Sequence, residues 1–168
     1  MKLTEPRIQR SHPMRLVGLN ARMSFGEPAM SRLWQSFGPR ARHIGNRTSQ
    51  DFISMRLFVP PLKTVPRPDS PFVQWATVEV HDFDDVPEGL ETCAVPAGLY
   101  AVLVHRGTAD SFARTSELIF RDWLPRSPYQ LAPRAFFEVL GPDYRPDDSD
   151  ASEEVWIPIE PRVPGRSG

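Results

Sequence analysis

Residues 15–37 read RLVGLNARMSFGEPAMSRLWQSF, and the hydrophobic period changes part-way along them. Val17, Leu19, Ala21, Met23 and Phe25 alternate with polar or small residues, which is the period of a half-buried strand. After Gly26-Glu27-Pro28, residues Met30, Leu33, Trp34 and Phe37 fall at i, i+3, i+4 and i+7, a helical stripe. Pro28 suits the first turn of that helix, and Gly38-Pro39 is expected to stop it. The same order recurs downstream. Residues 90–106, LETCAVPAGLYAVLVHR, predict one long strand, or a strand pair bent at Pro96-Ala97-Gly98. Gly107-Thr108 predicts a turn. Phe112, Ser116, Ile119, Phe120 and Trp123 then carry a second helical stripe, which Leu124-Pro125 is expected to end. Superposing Trp34 on Phe120 and Phe37 on Trp123 gives a constant offset of 86. That offset also brings Leu19 onto His105 and Gly26 onto Phe112, so the strand before each helix aligns as well.

Each helix is followed by two more strands. In the first half these are 52–59, FISMRLFV, and 72–81, separated by an extended loop at 60–71 that holds five prolines. On 72–81, Val73, Trp75, Thr77 and Glu79 share one face, and Phe72, Ala76, Val78 and Val80 share the other. In the second half the strands are 135–140, AFFEVL, and 155–160, VWIPIE, across an acidic loop at 141–154. The last strand is expected at a sheet edge, because Pro158 cannot donate to a ladder. Each half therefore reads strand-helix-strand-strand, and two such units burying their faces together make one α+β domain. Its expected span is 6–160, with repeat one at about 6–81, repeat two at about 90–160, and a flexible tail at 161–168. The 19 prolines among 168 residues, about twice the usual share, fall mostly at the seams of this pattern.

Net charge is −1, so no global field marks a nucleic-acid or membrane binder. Its distribution is uneven. Residues 1–67 carry ten Arg and two Lys against Glu5, Glu27 and Asp51, a net of +9, while residues 68–168 sum to −10. The halves either attract each other or leave a basic face for an acidic partner. The arginines are scattered through amphipathic elements and form no single stripe, so direct nucleic-acid binding is not expected. Cys93 is the only cysteine, which excludes an intrachain disulfide and a cysteine metal cluster. It reads as buried filler on a strand more readily than as a nucleophile. The N-terminus lacks the apolar run of a signal peptide, and the longest apolar run, 99–104, is too short to cross a bilayer. A cytoplasmic location is the expectation.

The sharpest chemical signal is Glu138. By alternation it shares a strand face with Phe136 and Leu140. A carboxylate among aromatics is costly to bury unless it is paired, or its pKa rises. Either a hydrophobic cation supplies that charge, with aromatic walls adding cation–π attraction, or an arginine does. Trp34, Trp75, Phe120, Trp123 and Tyr129 are candidate walls; Trp34 and Trp123, on helical stripes, also suit core packing. Glu79, on the face of Trp75, is either a second carboxylate for acid/base work or a solvated strand residue. The four histidines show no metal-ligand spacing, and no P-loop, dinucleotide fingerprint or serine elbow is present, so no cofactor or metal is expected.

The runs PAGLYAVLVHRG, IFRDWLP, YQLAPRAFFEVLG and EVWIPIE resemble the second repeat of the GyrI-like domain, the AraC-type effector-binding domain of bacterial transcription activators. RLVGLNARMSF and SRLWQSF are similar to its first repeat, and WATVEV resembles its central strand. The resemblance covers roughly 6–160. It implies two modules about a pseudo-twofold axis, an antiparallel sheet with two helices, and a cleft for a small molecule that is hydrophobic and often cationic. The family's pocket glutamate maps to Glu138, and Leu140 stands where that strand often has a tyrosine. A helix-turn-helix domain precedes the domain in regulators; this chain is expected to be a stand-alone version. Some members hydrolyse cyclopropane-bearing compounds, with Glu138 then the acid or base and Trp75 or Tyr129 holding substrate. Others bind DNA gyrase, so a protein partner, like a homodimer, is left open.

Overall fold

A computed structural model describes residues 5–25, 29–107, 109–145 and 152–163. The strands are β1 (Arg7–Arg10), β2 (Met14–Met23), β3 (Phe52–Phe58), β4 (Phe72–Val80), β5 (Glu91–Val95), β6 (Leu99–Arg106), β7 (Tyr129–Leu131), β8 (Phe136–Leu140) and β9 (Ser152–Pro161). Two helices interrupt them, α1 (Ala29–Phe37) and α2 (Ala109–Leu118). Every strand pairing among the described residues is antiparallel, and the order across the sheet is β1-β6-β9-β8-β3-β4-β2-β5, with β7 added to β9. The protein is α+β.

That order is a palindrome in structural terms. β3 and β8 pair at the centre, followed outward by β4 and β9, then β2 and β6, then β5 and β1. Each half's first strand lies on the other half's edge: β1 pairs with β6, and β5 with β2. The bend at Pro96-Ala97-Gly98 thus separates two strands that do not pair with each other. Leu19 and His105, aligned by the 86-residue offset, both point towards the helices, Leu19 against the α1 cluster and His105 onto Thr115 of α2.

The helices cover one face only. Leu33 and Phe37 of α1 pack with Val17, Phe72, Ala76 and Val78, as the stripe predicts. Ile119, Phe120 and Leu124 pack on Ala101, Leu103, Val155 and Ile157. The other face holds a separate cluster that includes Leu16, Met55 and Tyr100, each 0% exposed, together with Trp75, Phe137 and Trp156. Neither helix contributes to it, so the sheet must curl around these side chains to remove them from water. Ser11 and Gly98 help hold the curl, with Ser11 N donating to Gly98 O at 2.7 Å. Gly18 permits a close approach within it. A Cβ there would lie 1.9 Å from the Ala76 carbonyl oxygen.

Several boundaries differ from expectation. Gly38-Pro39 ends α1, but the chain winds on as a 3-10 helix over Gly38–His43, because proline needs no N–H at a first turn. Pro28 and Gly26 lie outside the described residues. The second helix does not stop at Leu124-Pro125. It widens into a π turn at Ile119–Trp123 and finishes over Leu124–Arg126. Pro125 sits in the first turn of that last segment, where its missing N–H costs no bond. The last strand is not an edge strand either. β9 lies between β6 and β8, and Pro158 falls past the last β8 pairing, Phe137–Trp156, and before β7 begins opposite Ile159. Its missing N–H therefore meets a gap between two partners. Tyr129 sits in a short strand, and β1 extends the sheet where no strand was expected.

Candidate functional site: a cleft on the helix-bearing face

The central strands β3 and β8 run antiparallel with Ser54 opposite Glu138 and Arg56 opposite Phe136. Even-numbered residues of both strands face the helices. Above them lies a cleft of about 600 Å³. Phe136, Glu138, Arg56 and Phe58 form its floor with Val155 and Ile157 of β9. Ser116, Glu117, Phe120 and Arg121 of the second helix make one wall, and residues 65–68 of the proline loop make the other. Phe25, which follows β2, stands at the mouth and is 45% exposed.

The floor is aromatic. Phe136 meets Phe58 edge-on at 5.1 Å between ring centroids and lies 6.2 Å from Phe120. Phe25 lies 4.8 Å from Phe72 and 6.0 Å from Phe58. Set in this surface is a buried charge pair. Glu138 is 4% exposed and receives the Arg56 guanidinium, whose Nη2 lies 3.2 Å from Oε1 and 3.4 Å from Oε2. Arg56 Nε donates to Gln74 Oε1 at 3.0 Å, and Gln74 in turn donates to Ser54 Oγ at 2.8 Å. The guanidinium carbon stands 5.6 Å from the Phe25 ring centre and 5.5 Å from that of Phe72. Of the two charges the sequence allows beside Glu138, the one in place is an arginine. The carboxylate itself lies on the cleft floor.

A second carboxyl lies behind the first. Glu153, on β9 opposite Leu140 of β8, points to the same face and is buried. Burial first, then the Glu138 charge, pushes it up to about 8, with Arg56 acting the other way. Burial, then Glu153 and Glu138, pushes the Tyr144 hydroxyl up to about 12. Leu140 offers no hydroxyl to the site; the tyrosine of this neighbourhood is Tyr144.

The other anticipated walls lie elsewhere. Trp75 packs in the inner cluster on the opposite face, directly across from Met55. Glu79 shares that face and binds His12 Nε2 at 2.7 Å, away from the cleft. Trp34 packs against Phe37 and Phe52 under α1. Trp123 and Tyr129 stack on each other at 6.5 Å beside the α2 core. The structure thus brings Glu138, Phe136 and Phe120 together and leaves Trp75, Glu79, Trp34, Trp123 and Tyr129 outside the cleft lining. Cys93 packs beside the inner cluster, and burial pushes its thiol up, which leaves it a weak nucleophile. Among the described residues no helix is long and apolar enough to cross a membrane.

An aromatic cleft with a buried acid on a palindromic sheet is what the resemblance implies. Over residues 4–160 the sequence matches the GyrI-like small molecule binding domain. The chain belongs to that family. The transcriptional regulator BrlR of Pseudomonas aeruginosa is 28% identical over 145 residues, or 86% of this chain and 51% of BrlR. The chain thus spans about half of that relative's length. Among solved structures, SAV2435 bound to tetraphenylphosphonium superposes with a TM-score of 0.63 at 14% identity, covering 94% of each chain. The EcmrR C-terminal domain superposes with a TM-score of 0.70 at 15% identity, covering 96% of this chain and all of that one. These likenesses carry the GyrI-like fold.

Proposed function

We propose that this GyrI-like chain is an effector-binding protein that takes a lipophilic organic cation into the cleft, with Glu138 recognising the charge. The observation that carries the reading is Glu138 itself, a carboxylate 4% exposed on the floor of an aromatic cleft of about 600 Å³. Such a cleft is large enough for a drug-sized molecule and mostly apolar, with few polar groups to orient it. Phe25, Phe58, Phe120 and Phe136 supply area and π-faces; Glu138 supplies the charge. Tetraphenylphosphonium, found on the fold neighbour SAV2435, is a suitable probe. Titration calorimetry should show binding by the native chain. Glu138→Gln keeps shape and an acceptor for Arg56 while removing the charge. It should lower tetraphenylphosphonium affinity at least about tenfold and leave that of neutral triphenylphosphine oxide within about twofold. Equal losses for both compounds, or for neither, overturn the charge role.

A second reading is hydrolysis of a strained, cyclopropane-bearing compound. It is favoured by Glu153, a carboxyl raised to about 8 beside Glu138, since two carboxyls of different proton affinity can divide acid and base roles. Mass spectrometry of such a compound incubated with the chain tests it: product no faster than without protein, or unchanged by Glu138→Gln, removes it.

A further inference from the structure

Glu138 is not vacant, and its occupant has the chemistry of the proposed ligand. Arg56 is planar, delocalised and weakly hydrated, and it lies between aromatic rings against the carboxylate. Its hold is loose. One nitrogen, Nη2, serves both carboxylate oxygens at 3.2 and 3.4 Å, where a two-pronged Arg–carboxylate pair makes two parallel contacts of about 2.7–2.9 Å. Nor would Arg56 be stranded without Glu138. Gln74 Oε1 accepts from Nε at 3.0 Å, and the Phe25 and Phe72 rings keep their cation–π positions. Phe25 stands half exposed at the cleft mouth, the direction in which the guanidinium could withdraw.

Resting on the cation-binding reading above, we infer that Arg56 is a resident cation which an incoming ligand must dislodge from Glu138, so that Arg56 sets the affinity and selectivity of the cleft. A small, strongly hydrated cation gains too little to displace it. A bulky one gains the burial of its apolar surface on Phe58, Phe120 and Phe136 as well as the carboxylate, and so succeeds. The device filters for size and lipophilicity by means of charge.

The test is calorimetric titration of the full chain with tetraphenylphosphonium, in native, Arg56→Gln, Arg56→Lys and Glu138→Gln forms, with folding of each checked by thermal melting. Arg56→Gln removes the competitor and keeps an amide to serve Glu138 and Gln74; affinity should rise about tenfold or more. Arg56→Lys keeps a cation beside Glu138, more compact and so a closer point charge, and with the competitor retained its affinity should stay at or below the native value. No rise in Arg56→Gln overturns the inference. Should that variant not fold, affinity in Arg56→Lys above native does so. Glu138→Gln separates the two levels. If it loses binding while Arg56→Gln gains none, only the resident-cation inference falls. If it binds as tightly as the native chain, or if no form binds the cation, the underlying reading falls with it.

Discussion

The two faces of the sheet carry similar aromatic chemistry to opposite ends. The inner face gathers Trp75, Tyr100, Phe137 and Trp156, with Phe137 and Trp156 stacked at 5.0 Å and Tyr100 edge-on to both. The helix-bearing face gathers Phe25, Phe58, Phe120 and Phe136 around open volume and a buried ion pair. On the inner face the sheet curls until its own side chains leave a pocket of about 200 Å³ beside Met14 and Glu79, a third of the volume of the cleft. On the other face the second helix and the proline loop stand apart and leave a gap. Aromatic content therefore does not distinguish core from site. What distinguishes them is whether the packing closes over the rings, and whether a charge is held among them.

The hardest way to break this comparison is Trp75→Ala. Trp75 is buried in the inner cluster, so its removal leaves a large cavity and should cost about 3–5 kcal/mol of stability, read from denaturant midpoints. Tetraphenylphosphonium affinity, measured well below the lowered melting temperature, should stay within about twofold of native. A large loss of affinity with little loss of stability would put Trp75 in the site and abolish the distinction between the faces.

How far the sequence allowed that distinction follows from what each residue could signal. The alternation in 15–25 and 72–80 and the stripe of α1 were legible, because burial on one face repeats at a fixed period, while the burial of Phe112 in the second stripe lies outside the described residues. β1, all four residues exposed, has no such period, and β7 has only three residues. Glu138 and Phe136 were legible because an acid between aromatics is unusual within five residues of strand. Trp75 and Glu79 were rightly put on one face together, but alternation does not say which face a helix will cover. Arg56 gave no signal. In FISMRLFV it has the pattern of a solvent-facing strand residue, and its partner lies 82 positions away. Only the β3–β8 register brings them together. Phe25 has the pattern of a strand end, and Glu153 falls in an acidic, proline-bearing stretch that predicts a loop.

The second test asks whether the helix-bearing face also carries the charge strain. Glu153 is buried there with Glu138 on β8, Arg56 on β3, Tyr144 after β8, and His105 opposite it on β6 with its Nδ1 on Thr115 Oγ1 at 3.1 Å. Its folded value of about 8 lies above the ordinary 4.5. Below pH 4.5 folded and unfolded chains both hold this proton. Between there and about 8 the unfolded chain has lost it and the folded chain keeps it, so stability falls as pH rises, by on the order of 1 kcal/mol per pH unit. Above about 8 both are ionised and the loss is complete. Glu153→Gln should flatten this slope, so that its urea midpoint exceeds the native one by a margin that widens from pH 5 to pH 8. Midpoints that run parallel across that range would contradict the burial of a protonated Glu153.

The smallest effect on stability should come with a clear effect on binding, at Phe25. Its ring is nearly half exposed, so Phe25→Ala removes little surface that folding had hidden, and stability should change by less than about 1 kcal/mol. Yet the ring lies 4.8 Å from Phe72 and faces the Arg56 guanidinium at 5.6 Å, at the mouth through which a ligand enters. Its loss takes one aromatic wall from the ligand, which lowers affinity. The ring's cation–π contact with Arg56 persists whether or not Glu138 is engaged, so losing it leaves that competition unchanged. Tetraphenylphosphonium should therefore bind about three- to tenfold more weakly, as an aromatic contact of this kind is worth about 0.5–1.5 kcal/mol. Phe25→Leu keeps the apolar area without the π-face and separates the parts: if it restores native affinity, the ring acts by area alone and its π-face carries no weight. Set beside Trp75→Ala, the pair of variants crosses over, one losing stability and keeping affinity, the other the reverse. A single aromatic network shared by both faces would move both quantities together in each variant.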